Sequence, residues 1–366
     1  KVLCSSHNKC SAIRGKTDVF ELYLLKLITT TQMEDLIFVS CSPDNIYYAW
    51  QVEVMLHSFR KHKVNMENVH ILAAIPHKGT PSKYFLGLQE ENKDVKFFFY
   101  EDTRSEVILS GIKGMPMNYG LYIPSIVFHL MAKHYKANAW LEGKTIFHHD
   151  NDIVFRRLPR FKTILDKGNR CYASDCHSYI SVDYLAQKGD FYITGMSRIT
   201  GVPEKTIYDN RKNAGGAQYL IKDVDYLFWE KVERDSVAIY QFFNDVEAYA
   251  KSQKPDVSSL QKWTAGMWSL LYNLYHQTNG VWVEDELSFS FATASGAEYN
   301  AKPIMHNAGA TTKDKDLFIK SNYMQITPFG ENFDYVRPDS ASFHYAKEIA
   351  ETAVSLQNSG GLKKYE

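Results

Sequence analysis

The sequence predicts an α/β protein with a mostly parallel central sheet flanked by helices, and three observations predict it. Buried-strand runs alternate with segments of helical periodicity from Leu36 onward. Runs such as Leu36-Ile37-Phe38-Val39 are apolar at every position, the pattern of a strand covered on both faces. Turn and cap residues such as Ser42-Pro43-Asp44-Asn45 separate the two kinds of segment.

Taken in order, residues 1–33 are mixed, with one helical pattern from Val19 to Leu27. Leu36–Ser40 is the first strand and Ile46–Arg60 the helix after it. Val69–Ile75 is a strand stopped by Pro76, and Val95–Tyr100 is a third. A helix over Tyr122–Tyr135 leads to a strand over Thr145–His148. Tyr172–Asp175 is a short strand, and Asn213–Gln218 leads into Tyr219-Leu220-Ile221. Val224–Ala250 and Leu260–Tyr275 are helical. Short strands close the pattern around Val281-Trp282-Val283, Phe289–Thr293 and Pro303-Ile304-Met305. With no repeat or linker, the expectation is one domain over residues 1–356, ending in helical and short-strand elements. The tail, 357–366, has Ser-Gly-Gly and Lys-Lys and is expected to fray.

Lys+Arg and Asp+Glu are both 42, so no whole-chain field favours nucleic acid or an acidic membrane. The 5 cysteines, an odd and sparse set, imply no disulfide framework. Cys171, Cys176 and His177 suggest zinc only weakly, because no second pair has suitable spacing; buried thiols are the better reading. No apolar run approaches the ~20 residues that span a bilayer, and Lys1–His7 lacks the apolar core of a signal peptide. Taken as given, the chain is expected to be cytoplasmic; trimming would hide a leader.

The chemistry concentrates in Ile146-Phe147-His148-His149-Asp150-Asn151-Asp152-Ile153-Val154-Phe155. An isolated Asp-x-Asp is most often a solvated turn. Here the two acids end a strand, and in parallel sheets ligands bind beyond that end. Two carboxylates so close repel unless a cation sits between them, and a hard divalent ion suits oxygen donors. Such an ion could bridge the diphosphate of a nucleotide sugar and neutralise the leaving group. His306, after Ile304-Met305, completes a metal site, contacts a phosphate or is structural. Asn213-Ala214-Gly215-Gly216-Ala217-Gln218 allows close approach of backbone to a ligand or is a plain turn; without Gly-Lys-Ser/Thr it is no P-loop. Trp263 and Trp268 fall on different helix faces, so one belongs to the core while the other is free to stack on a ring.

These segments, in this order from about Leu36 to about Tyr323, resemble a glycosyltransferase family of the GT-A fold. The group is that of the peptidyl serine galactosyltransferases and hydroxyproline arabinosyltransferases with their bacterial and viral relatives. Matching pieces include Trp50-Gln51 with His57-Ser58-Phe59, Phe147–Phe155, Asn213–Lys222, Trp263–Trp268, Leu287–Thr293 and Ile304–Gly309. The resemblance implies a nucleotide-binding half over about 34–155 and an acceptor-side half over about 156–345. It implies Mn²⁺ or Mg²⁺ on Asp150, Asp152 and His306, and a UDP-sugar donor of the arabinose, galactose or glucose class. Ser40, Ser42, Asp44 and Asn45 would hold the nucleoside. Asp150, Asn213, Gly215, Gly216, Gln218 and Trp268 would lie along the donor. The acceptor is a hydroxyl on a protein, a glycan or a hydroxymethylated base of phage DNA. The last draws on the basic clusters Arg156, Arg157, Arg160, Lys162 and Arg60, Lys61, Lys63, which are more often solvated surface. One departure stands out: Gly266 occupies a position where the relatives tend to be acidic. Glu284, Asp285, Glu286 and Asp175 are then the candidate bases, and the rival reading is a weakened protein that only binds sugar nucleotides.

Overall fold

The computed structural model describes residues 36–110, 116–253, 259–278 and 280–366. The predicted helix Val19–Leu27, with Cys4 and Cys10, lies outside them. The described residues open with strand β1 (Leu36–Pro43), helix α1 (Ile46–Lys61), β2 (Val69–Pro76), α2 (Lys83–Glu91) and β3 (Lys96–Asp102). A hairpin of β4 (Ile108–Ser110) and β5 (Pro116–Asn118) follows, then α3 (Ile126–Ala137), β6 (Thr145–His148), β7 (Ile153–Phe155) and β8 (Cys171–Asp175). Next come α4 (Phe191–Thr200), β9 (Gly215–Ile221), α5 (Tyr226–Gln253) and α6 (Ala265–Gln277). The rest is β10 (Trp282–Val283), β11 (Phe289–Phe291), β12 (Ile304–His306) and α7 (Ala341–Ser359).

Seven strands form the main sheet in the order β10-β8-β9-β6-β1-β2-β3. Only β9 runs against its neighbours, so the sheet is mostly parallel, as expected. β1 lies near the middle and Leu36 to Ser42 are all buried, which explains its uninterrupted apolar run. Asn45 begins α1 by accepting the Tyr48 N–H at 3.3 Å, and Arg60 and Lys61 in the last turn complement the helix dipole. A smaller sheet, β11-β12-β7, lies beside the large one and packs with α7 and Trp50 in a second apolar core. Cys41, Cys171 and Cys176 are buried free thiols. No helix among the described residues is long and apolar enough to cross a membrane.

The tail corrects an expectation. Instead of fraying, α7 continues to Ser359, Gly360 caps it at φ +77°, and residues Gly361–Tyr365 form a tight helical turn. Lys364 is buried, reaching Glu53 of α1 at 3.0 Å and also pairing with Glu91 of α2. The Lys-Lys pair that suggested solvent supplies a buried counter-ion. Lys364→Met should therefore leave Glu53 uncompensated and lower the unfolding free energy by about 3–5 kcal/mol. Urea titration at neutral pH checks it; an unchanged midpoint would refute the latch.

Candidate active site

Asp150 and Asp152 occupy the turn between β6 and β7, at the carboxyl edge shared with β1 and β2. The small sheet brings the imidazole to them. β12 pairs antiparallel with β7, setting His306 opposite Ile153, and the Asn307 N–H donates to the Asp152 carbonyl at 2.9 Å. His306 Nε2 then lies 3.2 Å from one Asp152 oxygen and 3.3 Å from Asp150. Ligand atoms of the three side chains all lie within 4.8 Å of one another.

Sequence reasoning missed a fourth member. The Lys320 ammonium pairs with the second Asp152 oxygen. Lys320 opens the helical turn Lys320–Tyr323, whose position is set when the Trp50 indole N–H donates to the Tyr323 carbonyl at 3.1 Å. Fourteen positions separate Lys320 from His306, and no periodicity connects them. The only sequence signal is the run of aromatics around it, Phe318 and Tyr323, which pack on Trp50.

The charges set one another. Burial alone would push Asp152 up, but the Lys320 ammonium and His306 overcome it and hold its carboxyl well below the usual range. Asp150 differs: its outer face is open, with half of the side chain exposed, while desolvation of the inner face outweighs His306 and raises its carboxyl. Burial disfavours charge on His306, yet the two aspartates prevail and raise it. Lys320 is raised because Asp152 outweighs burial. The other His306 nitrogen and Asn151 Oδ1 are buried without a protein partner. Two carboxylates and an imidazole with unused donor capacity fit a divalent ion that accepts oxygen and nitrogen, Mn²⁺ more readily than Mg²⁺. A second acid–histidine grouping, His57, Glu348 and Glu351, is already bridged by Lys61, at 2.9 Å and 2.6 Å.

These groups stand at one end of a cleft of about 830 Å³. Cys41, Pro43, Tyr47 and Tyr48 line the side under β1 and α1, and the side under α3 and α6 is apolar. Ala217 reaches the cleft from β9 at φ +59°, facing the bulge between Ala173 and Ser174. A left-handed alanine costs about 1–2 kcal/mol, and strain of this kind collects at functional sites.

Most of the other expected site residues are elsewhere. Strand alternation turns Ser40 and Ser42 away from the cleft that Cys41 and Pro43 line. Asp44 accepts from the Ser82 N–H at 2.6 Å and its hydroxyl at 2.5 Å, and Asn45 caps α1. The Asn213 carbonyl accepts from the Tyr275 hydroxyl at 3.0 Å. Gly215 and Gly216 are packing glycines: a Cβ would lie 2.5 Å from that of Ala173 or 2.7 Å from Met267 Cε. Gln218 is fully buried and accepts from the Ser174 hydroxyl at 2.7 Å. Trp268 is core; Trp263, 61 % exposed, lines the cleft instead.

None of the four candidate bases lines the cleft. Glu286 is clamped by Arg157, at 2.6 and 2.9 Å, and by Arg160 at 2.7 Å, which brings it down to about 2. Glu284 pairs with Lys167 at 2.6 Å, and Asp175 accepts the His177 N–H at 2.8 Å; Asp285 begins a helical turn beside Glu284. The same contacts weaken the DNA reading. Arg157 and Arg160 serve Glu286, Lys162 serves Asp166, Arg60 serves Asp94 and Lys61 serves Glu348 and Glu351.

Gly266 is not an emptied position. Its N–H donates to the Tyr122 hydroxyl at 2.7 Å, and a Cβ there would lie 2.7 Å from the Phe128 ring. Gly266→Glu should therefore fail to raise activity and should cost about 1–3 kcal/mol by overpacking. A Glu variant that is both stable and faster would reverse this reading; thermal unfolding and nucleotide release measure the two.

No family model matches the chain, and no curated protein matches it. Among solved structures, the galactosyltransferase LgtC with donor and acceptor sugar analogs is similar at 16% identity over 89% of this chain and 99% of its own, with a TM-score of 0.42. Mouse xyloside xylosyltransferase 1 is similar at 10% identity over 75% of this chain and 97% of its own, with a TM-score of 0.36. A mannosyltransferase from Pyrobaculum calidifontis with GDP-Man and Mn²⁺ is similar at 10% identity over 66% and 71%, with a TM-score of 0.28.

Proposed function

We propose that the protein is a metal-dependent glycosyltransferase of the GT-A kind, moving a sugar from a nucleoside diphosphate to a hydroxyl. The observation that carries the reading is the meeting of Asp150, Asp152, His306 and Lys320 at the carboxyl end of β6, in the mouth of a large cleft. The sequence resemblance favours a UDP-sugar of the arabinose, galactose or glucose class. Asp150, Asp152 and His306 would hold Mn²⁺ or Mg²⁺, and the bound ion would supply charge stabilisation for the departing diphosphate. Lys320 lies close enough to add a second positive charge for the phosphates, once its hold on Asp152 is shared. Pro43, Tyr47 and Tyr48 provide a wall on which a nucleobase can stack.

The test is nucleoside diphosphate release from a panel of UDP-sugars and GDP-mannose, with Mn²⁺ and then with chelator. Release should occur with a UDP-sugar, stop on chelation and return on adding Mn²⁺. Release indifferent to chelation would refute the metal reading. Binding of Mn²⁺ and nucleotide without turnover would favour a protein that binds sugar nucleotides without transferring the sugar.

A further inference from the structure

Beyond the charged end, the cleft runs into a wall the donor chemistry does not use. Ile123, Pro124, Val127 and Phe128 form one side, and Met267 and Leu270 of α6 form the other. Trp263 stands at its edge, 61 % exposed. The phenol on that wall between Ile123 and Gly266, Tyr122, is committed: its hydroxyl donates to the Trp263 carbonyl at 2.5 Å and accepts from the Gly266 N–H. Among the described residues lining the cleft, the only carboxylates are Asp150 and Asp152.

Two physical consequences follow. Ser178, Gln261 and Thr293 also line the cleft, but a sugar acceptor carries a hydroxyl on nearly every carbon, and each one buried against the apolar wall without a partner would cost about 1–3 kcal/mol. A flat apolar ring instead gains by leaving water and by packing edge or face on Trp263 and Phe128, by roughly 0.5–1.5 kcal/mol per aromatic pair beyond area. The second consequence concerns the proton. With both aspartates occupied at the charged end and the lining imidazoles His148 and His306 buried, 6 % and 8 % exposed, no exposed side-chain base faces the apolar wall, which favours an acceptor hydroxyl that is acidic by itself. A phenol titrates near 10, as tyrosine does, whereas water titrates at about 15.7, and an aliphatic alcohol is a comparably weak acid.

We infer that the acceptor is a phenol, its ring held between Trp263, Phe128 and Met267 with the hydroxyl turned toward Asp150, an assignment that rests on the glycosyltransferase reading. The phenolic oxygen forms a bond to the anomeric carbon of the donor sugar. The bond from that carbon to the phosphate oxygen breaks, the nucleoside diphosphate leaves with the electron pair, and the phenolic proton passes to water. The products are an aryl glycoside, a nucleoside diphosphate and a proton.

The experiment compares 4-methylumbelliferone, cyclohexanol and methyl β-glucoside as acceptors, with Mn²⁺ and the best UDP-sugar. Nucleotide release should be at least about tenfold faster with the phenol than with either other acceptor. Trp263→Ala, an exposed position that the fold does not need, should raise KM for the phenol about tenfold with kcat changed less than about twofold. Fluorescence titration of 4-methylumbelliferone should show the same loss in Kd. Cyclohexanol or methyl β-glucoside matching the phenol, or Trp263→Ala leaving KM and Kd unchanged, overturns the assignment. Metal-dependent donor hydrolysis that the phenol fails to stimulate also overturns it while sparing the glycosyltransferase reading. Loss of both donor turnover and Mn²⁺-nucleotide binding overturns both.

Discussion

Asp152→Asn should abolish metal-dependent turnover of the sugar nucleotide, with Mn²⁺ affinity falling at least about 100-fold, or about 2.7 kcal/mol. The amide keeps the shape but removes the carboxylate that contacts both His306 and Lys320. Two groups raised toward their cationic forms would then face each other with only the half-exposed Asp150 near them. Asp150 cannot replace it, because its own carboxyl is raised and half exposed at the rim. Calorimetric Mn²⁺ titration and nucleotide release read the effect, with circular dichroism checking the fold. A variant that binds Mn²⁺ and turns over like the parent would remove Asp152 from the metal site.

The second large effect is acid sensitivity. Burial holds His70, His134 and His149 down to about 3 and His148 to about 4, from an ordinary 6.5. His70 and His134 also bond to each other at 2.9 Å, and His134 accepts or donates to the Tyr100 hydroxyl at 2.9 Å. As pH falls below 6.5 the unfolded chain takes up these protons and the folded chain does not. Stability is therefore full above 6.5 and drains away between 6.5 and about 3. Each histidine costs about 1.4 kcal/mol per pH unit in that window, so the four together cost about 5.5 kcal/mol per pH unit. Against a typical total of about 5–15 kcal/mol, cooperative unfolding is expected by about pH 5. Asp152, held low, adds a loss of the same sign only below its ordinary range. Urea midpoints at pH 7, 6 and 5 measure the slope, which His134→Gln should make shallower by about one proton. A midpoint independent of pH would refute it.

What could be read in advance follows from how local each signal is. β1, β6 and the acid pair were legible because burial on both faces and a strand end write themselves into consecutive residues. His306 was legible as a residue at the end of an apolar run. Trp263 and Trp268 read as parts of one helix, but α6 begins at Ala265 and Trp263 lies in the tight turn Lys262–Thr264 before it, so which one faces solvent depended on how that turn packs. The candidate bases failed for a similar reason. Glu286 reads as a free acid, and only the path of residues 157–160 reveals the two arginines that take it.

By itself, the sequence determined the alternation of strands and helices, the parallel sheet, and the edge from which Asp150 and Asp152 project, because these depend on patterns within a few residues. Only the tertiary structure decided the antiparallel register that sets His306 against Asp152, the Trp50 anchor that brings Lys320 across 168 residues, and the Phe128 ring against Gly266. Those contacts join segments far apart in the chain. Their partners are chosen by packing and charge compensation in three dimensions, for which no local pattern in the sequence is required.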